Sequence, residues 1–490
     1  MKFQPSKYQQ AIYDFISEGQ GNLVIDAVAG SGKTTTIVNA IELIDSSQSV
    51  LFLAFNKSIV EELKIKLEWF SNVEVSTIHS LGARSLTSTF KTKIDGDKYK
   101  AHFNRGLETG LYRPTNSEME VEEYETYKGN IRKLIDLVRV NLCSSVDQFQ
   151  DLAFQHGLFL VDNEVSIAAD VVRWGYKSIE TIDFTDMIYF PALKKINMPK
   201  YDWIFIDECQ DLNAAQRTTV LKCLAEGGRF VAVGDPKQAI YGFAGADIES
   251  FNILKNTPNT TCLPLSVCYR CDESIIDLAK DKVPYIEARP NAPYGEVEFD
   301  AHYSKVKDGD MIICRNVAPL TSLCMHYISN GIKAYIKGGD IGTNLINMIK
   351  NTKRVYVEDA IAILNKEYNK ILKRVSDAQK CTLIEAQEAP QCQTYLDKIE
   401  AIKAIANTLK TSEAVINRIN TIFSDTNKSG ICLSSIHKSK GLEADRVFIL
   451  NRDMLYNKRA MKIDWMAEQE HNLVYVAITR AKHYLGFIEF

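Results

Sequence analysis

The chain has 490 residues, 46% of them hydrophobic and 24% charged, which suits two to four globular domains of ~100–200 residues each. No apolar run approaches the ~20 residues of a membrane span, and Met1–Lys7 lacks the apolar core of a secretion signal, so the expected location is the cytoplasm. A net charge of −4 with a pI near 6.1 gives no bulk signature of a nucleic-acid binder, although a local basic groove or a stacking platform would suffice for one.

In chain order, Ser6-Lys-Tyr-Gln9 reads as a helix capping box. The strand-like run Leu23–Ile25 then leads into Ala27-Val-Ala29-Gly30-Ser31-Gly32-Lys33-Thr34, followed at once by a helical stretch. This is a phosphate cradle of the G-x4-G-K-[ST] type, with Ala27 at the first glycine. Glycines let backbone N–H groups approach phosphate oxygens, and the new helix points its positive end at them. Lys33 would reach the β- and γ-phosphates, and the Thr34 hydroxyl would hold Mg²⁺.

Further strands are expected at Val50–Phe55, Val73–Val75, Trp203–Ile206 and Arg229–Val233. Residues from about 86 to 180 are polar and helical in character. The strand Trp203–Ile206 delivers Asp207 and Glu208 at its C-terminal end, where ligands sit in open α/β sheets. Asp207 would hold Mg²⁺, and Glu208 would accept a proton from the water attacking the γ-phosphate. Downstream, Val233-Gly234-Asp235-Pro-Lys-Gln238-Ala-Ile-Tyr241-Gly-Phe243 offers Gln238 as a γ-phosphate sensor, with Tyr241 and Phe243 as rings on which bases can stack. Core packing is the competing explanation for either ring.

A second strand series is expected at Thr261–Leu265, Met311–Cys314, Lys333–Ile336, Ile431–Ser435, Val447–Leu450 and Tyr484–Ile488, interrupted by a helical stretch from about 345 to 425. Strand–helix alternation in both regions implies doubly wound α/β domains. The eleven cysteines are scattered and odd in number, which argues for reduced thiols. Cys268 and Cys271 form a C-x-x-C near Cys262; without a second pair or a histidine, buried free thiols explain it better than a metal or redox site.

The cradle, the Asp207-Glu208 strand end and the Gln238 segment, in this order, resemble those of superfamily-one helicases of the UvrD/Rep/PcrA type, and the resemblance runs from about residue 6 to 482. Leu51–Lys57 and Thr77-Ile-His79-Ser-Leu-Gly82 are similar to the family's strand-contacting segments. Leu265-Ser-Val-Cys268-Tyr269-Arg270 resembles its Asn-Tyr-Arg motif, and Ser434-Ser-Ile-His437-Lys-Ser-Lys-Gly-Leu-Glu443 its Thr-x-His-x-x-Lys-Gly-Leu-Glu motif. Val474-Tyr-Val-Ala-Ile-Thr-Arg480-Ala481 resembles the closing Tyr-Val-Ala-x-Thr-Arg-Ala motif.

The resemblance implies two RecA-like doubly wound parallel-sheet domains. The first would run over 1–85 and 181–260 around an insertion at 86–180; the second over 261–344 and 428–490 around an insertion at 345–427. It implies ATP and Mg²⁺ as cofactors, with Thr34 and Asp207 on the metal, and an ATP-dependent helicase that moves 3′-to-5′ on single-stranded DNA, taking tailed duplexes as substrate and working as a monomer away from membranes, with replication or repair proteins as partners. Arg270 and Arg480 would act as arginine fingers, Tyr269 would stack on adenine and Glu443 would accept a ribose hydroxyl. Gln9 would read the adenine edge, with Gln10 as competitor. Thr35 stands where many relatives carry an arginine beside the base, Phe243 where tryptophan is frequent, and Cys268 in place of asparagine. Phe55, Asn56, Thr77, His79, Tyr241, Phe243 and His437 would contact DNA. The chain ends eight residues after Lys482, which leaves one strand and no expected tail or nuclease module.

Two alternatives stand beside this reading. One is a translocase that clears proteins or remodels forks without strong unwinding; the other is a phosphate-cradle protein that ignores nucleic acid.

Overall fold

The computed structural model describes residues 4–54, 57–113, 121–156, 158, 160, 162–242, 249–425, 429–457, 460–462 and 464–490. Phe55, Asn56 and Phe243, expected to contact DNA, lie outside them. The chain divides into two compact units, Met1–Ser266 and Val267–Phe490.

In the first unit six strands form one parallel sheet: β1 (Asn22–Ala27), β2 (Val50–Leu53), β3 (Val73–Ser76), β4 (Tyr201–Ile206), β5 (Leu224–Gly234) and β6 (Thr260–Leu265), in the order β3-β2-β4-β5-β1-β6. Both faces are covered. Leu23, Ile25 and Ala27 of β1 face one apolar cluster with Phe52, Phe205, Val231 and Ile37, while Val24 faces a second with Leu51, Ile204, Phe230 and Phe251. Burial on two sides explains why these strands read as continuous apolar runs rather than alternating ones.

The strand at 261–265 corrects the expected domain boundary at 260/261. β6 pairs parallel with β1 from Asn22↔Thr260 to Ala27↔Leu265, so it closes the first sheet instead of opening the second. A short apolar strand carries no mark of which sheet it will join. Likewise no break falls at residue 85, because the helix Ile78–Phe90 runs through it.

The first insertion is helical, as expected, with helices at Lys98–Glu108, Val121–Val140, Val146–Gln155 and Asp162–Lys177 around their own core of Tyr99, Phe103, Tyr127, Leu134, Phe149 and Val171.

The second unit carries a seven-stranded parallel sheet from β7 (Glu296–Glu298), β8 (Met311–Cys314), β9 (Ala334–Lys337), β10 (Phe423–Ser424), β11 (Ile431–Ser435), β12 (Ala444–Leu450) and β13 (Ala481–Ile488), in the order β7-β13-β12-β8-β11-β9-β10. Its insertion is helical from Val357 to Ile422. The helix before it, Gly339–Asn351, starts ahead of the expected boundary at 345. Among the described residues no helix is long and apolar enough to cross a membrane.

Candidate functional site: a phosphate cradle and its carboxylates

Strands β4, β5 and β1 are neighbours, so the loops leaving their carboxyl ends meet. Gly30 and Gly32 take φ of 66° and 77°, left-handed values that L side chains rarely adopt. Gly32 then serves as N-cap of the helix Lys33–Ile41. Ser31 is fully buried and its hydroxyl finds no protein partner. An orphan hydroxyl inside a loop that ends at a helix N-terminus suits an anion with oxygens to share. Ala29 is buried beside it and Thr35 is exposed.

Lys33 Nζ lies 3.6 Å from Glu208 Oε1, and Thr34 Oγ1 donates to Asp207 Oδ2 at 2.7 Å. The sequence-expected catalytic pair is thus brought onto the cradle. Burial, and then the neighbouring Glu208 charge, lift the Asp207 carboxyl to about 6. The Thr34 hydroxyl beside an Asp207 carboxylate is an all-oxygen donor set of the kind Mg²⁺ prefers, so these residues fit that ion.

Glu208 has φ of 52°, left-handed for a residue with a side chain. Such strain persists where neighbours hold it; here the Glu208 N–H donates to Asp207 Oδ1 at 2.9 Å and its carbonyl accepts the Asp211 N–H at 3.0 Å, while Gln210 holds the side chain. Gln210 Nε2 donates to Glu208 Oε2 at 2.6 Å, and its Oε1 accepts the Asp235 N–H at 3.1 Å. Asp235 is completely buried; burial raises its carboxyl to about 6, and it receives Gln238 Nε2 at 2.6 Å. Gln210 and Asp235 therefore connect the carboxylate loop to Gln238, which sequence reasoning did not assign to them. Gly234 was the available signal: a Cβ there would meet Gln210 Oε1 at 2.5 Å and Cys209 Sγ at 2.8 Å.

Other expected residues are placed as follows. The Ser6–Gln9 capping box forms. Gln9 is 3% exposed, its Oε1 accepts the Ser6 N–H and its Nε2 donates to Thr36 Oγ1 at 3.1 Å, so both ends of its amide are engaged; Gln10 donates to Asp14 on the surface. Thr77 caps the helix Ile78–Phe90 by accepting the Ser80 N–H. Burial lowers the His79 imidazole from its ordinary value, and Tyr241 is half-buried.

In the second unit Arg270, Glu443 and Arg480 come together around Thr479. Arg270 Nε donates to Glu443 Oε2 at 2.6 Å and its Nη1 to the Thr479 carbonyl at 3.1 Å. Lys482 Nζ reaches the other Glu443 oxygen at 3.0 Å. Burial opposes ionisation of Glu443, but Arg270 and Lys482 together hold its carboxyl below the usual value. Arg480 is 1% exposed and donates to the carbonyls of Val476 and Leu442 and to Thr479 Oγ1. Arg270 and the expected ribose acceptor Glu443 are therefore paired with one another, while Arg480 is bonded to the end of its own helix and to Leu442. Tyr269, by contrast, is 40% exposed. His437 is pushed down to about 4 by burial and then by Arg315, which keeps it neutral.

The model of the UvrD/REP helicase N-terminal domain matches residues 8–259, and that of the UvrD-like helicase C-terminal domain matches 430–488. Among curated proteins, the ATP-dependent DNA helicase PcrA of Staphylococcus epidermidis is 23% identical over 95% of this chain and 81% of its own length. The ATP-dependent DNA helicase Rep of Buchnera aphidicola is 26% identical over 60% of this chain and 46% of its own. A PcrA of Staphylococcus aureus is 27% identical over 54% and 38%.

Proposed function

This chain belongs to the UvrD/REP helicase family, and from that membership we propose an ATP-dependent DNA helicase that translocates on single-stranded DNA in the 3′-to-5′ direction. The observation that carries the reading is the meeting of Lys33 and Thr34 with Glu208 and Asp207, at 3.6 and 2.7 Å, on the carboxyl ends of adjacent parallel strands.

Phosphoryl transfer needs positioning and charge neutralisation more than covalent help. Lys33 and the N–H groups around Gly30 and Gly32 bind the β- and γ-phosphates. Thr34 and Asp207 hold Mg²⁺, which supplies charge neutralisation when bound. Glu208, oriented by Gln210, takes the proton of the attacking water at its carboxylate, and Gln238 senses the γ-phosphate. Arg270 and Arg480 add positive charge to the transferred group after exchanging their present partners. Tyr269 stacks on the base. Thr77, His79, Tyr241 and His437 contact the DNA strand. The domain organisation we propose is two RecA-like domains, each interrupted by a helical insertion, operating as a monomer in the cytoplasm.

The test is ATP hydrolysis with and without a single-stranded DNA oligonucleotide. Hydrolysis should rise with the oligonucleotide, and Lys33→Ala should lower kcat about a hundredfold or more, the scale expected for loss of a preorganised charge stabiliser. Hydrolysis indifferent both to DNA and to Lys33→Ala would overturn the site.

A further inference from the structure

Cys268 ends the short strand Val267–Cys268, and Cys271 lies three residues on, just before the helix Glu273–Lys280. Between them stand Tyr269 and Arg270. Both cysteines are completely buried. The turn is held closed by Arg289, whose Nη1 donates to the carbonyls of Tyr269 and Cys271 at 3.2 and 3.0 Å and whose Nη2 donates to Asp272 at 3.0 Å. Inside the turn the Cys271 N–H donates to Cys268 Sγ at 3.5 Å. Cys271 Sγ rests 3.8 Å from the Thr479 carbonyl, the same oxygen that receives Arg270 Nη1.

Against the expectation of inert buried thiols, we propose that Cys268 and Cys271 are a modification site: a dithiol that peroxide closes to a disulfide, unseating Tyr269 and Arg270 and so switching off the ATPase proposed above. The claim about activity rests on that reading; the claim about the bond does not.

Three observations support the chemistry. The spacing encloses two residues in a turn in which the Cys271 N–H already meets Cys268 Sγ. A hydrogen bond from the Cys271 thiol, reinforced by the backbone N–H groups of Cys271 and Arg270 and opposed by burial, holds the Cys268 thiol down to about 7, while the same pairing and burial push the Cys271 thiol well above its usual range, so Cys268 is the nucleophile of the pair. Burial instead pushes Cys143 up to about 11 and Cys223, Cys314 and Cys324 up to about 12. Finally, the change has a mechanical route to the motif. Bond formation draws the sulfurs to ~2.05 Å, and it pulls Cys271 Sγ off the Thr479 carbonyl on which Arg270 also sits.

The step balances with hydrogen peroxide as oxidant. The Cys268 thiolate attacks one peroxide oxygen, the O–O bond breaks, and hydroxide leaves and is protonated to water. The resulting Cys268 sulfenic acid is attacked by Cys271 Sγ; its S–O bond breaks, and the departing hydroxide takes the Cys271 proton as a second water. Two thiols lose two electrons and two protons, and the peroxide is reduced to two waters.

The experiment uses the full chain. It is treated with hydrogen peroxide under native conditions, remaining thiols are alkylated, and peptides are weighed; ATP hydrolysis with single-stranded DNA is followed in parallel. The expected result is a 268–271 disulfide with ATPase lowered about tenfold or more, a modest share of what an arginine finger can contribute, and restored by dithiothreitol. Cys271→Ser should keep its reduced activity, form no disulfide, and leave a Cys268 sulfenic acid that dimedone traps. Two alkylatable thiols after peroxide treatment, or a disulfide with unchanged hydrolysis, would overturn the switch. A reduced protein without any ATPase would overturn the reading of the cradle instead, while the mass change would still decide the dithiol.

Discussion

Asp207 is buried beside Glu208, and burial lifts its carboxyl from 3.8 to about 6. Between those values an unfolded chain releases a proton that the folded chain keeps. Folding stability contributed by this group therefore falls as pH rises through that window, and the penalty is complete above about pH 6. Asp207→Asn removes the penalty and still bonds the Thr34 hydroxyl. Without nucleotide or Mg²⁺ the variant should be more stable than the parent at pH 7.5, by on the order of 1–2 kcal/mol, with the gap closing toward pH 4. Thermal unfolding across pH measures this, and a gap equally wide at pH 4 would refute it. ATPase should be lost at the same time. Gln210 sits one bond further out. Gln210→Ala frees the Glu208 carboxylate and strips the Asp235 N–H of its acceptor. Steady-state kinetics should show kcat lowered about ten- to a hundredfold with KM for ATP little changed, because orientation in the transition state is lost rather than ground-state binding. A raised KM at unchanged kcat would instead make Gln210 a binding residue.

Helix Asp186–Leu193 joins the first sheet to its insertion. Ile188 and Ala192 pack on the sheet, while Tyr189 and Phe190 pack on the insertion core. The junction also carries a buried polar cluster. Arg139 has no exposure; Nη1 and Nη2 bond both Asp183 oxygens at 2.8 Å, and Nη1 reaches Asp186 at 3.1 Å. Lys98 Nζ and the Tyr99 hydroxyl each meet Asp186 at 2.7 Å. A pair of this kind adds little net stability when intact, but removing one partner strands the other charge. Arg139→Ala should cost about 3–5 kcal/mol in chemical denaturation and open the 98–177 segment to proteases first; a loss below about 1 kcal/mol would mean that the cluster is effectively solvated. In the second unit, Asp397 of the inserted helix Pro390–Ala406 accepts the first N–H groups of another helix, Val317–Ser329, from Val317 and Ala318 at 2.8 Å each. Helix starts leave such donors unpaired, and a side chain from elsewhere in the chain satisfies them here.

Across the whole molecule, each unit is built on its own parallel sheet, and each carries one longer run of helices, 98–177 and 357–422, between two of its strands. No single side chain encodes the direction of travel along DNA, so polarity has to be measured on the assembled protein. Duplexes with opposite single-stranded tails decide it: unwinding should require the 3′ tail. Unwinding only from a 5′ tail would reverse the assignment. DNA-stimulated hydrolysis without strand separation on either substrate would favour a translocase that clears proteins from the strand.

The cradle, the carboxylate pair and most strands were legible because their signals are local. Gly30 and Gly32 permit the left-handed turn that a phosphate cradle needs, and a run such as Trp203–Ile206 is apolar on both faces wherever it packs. The helical character of both insertions was visible for the same reason. What the chain order could not specify was association between distant segments. Strand 260–265 joined β1 across more than two hundred intervening residues. Gln210 reached Asp235, and Arg270, Glu443 and Arg480 met at Thr479. Glu208 entered a strained conformation and Gln9 became a fully bonded staple between helices. Propensity and spacing act over a few residues, whereas partner choice, burial and the resulting shift of a carboxyl or thiol exist only once the sheet has set which loops are neighbours.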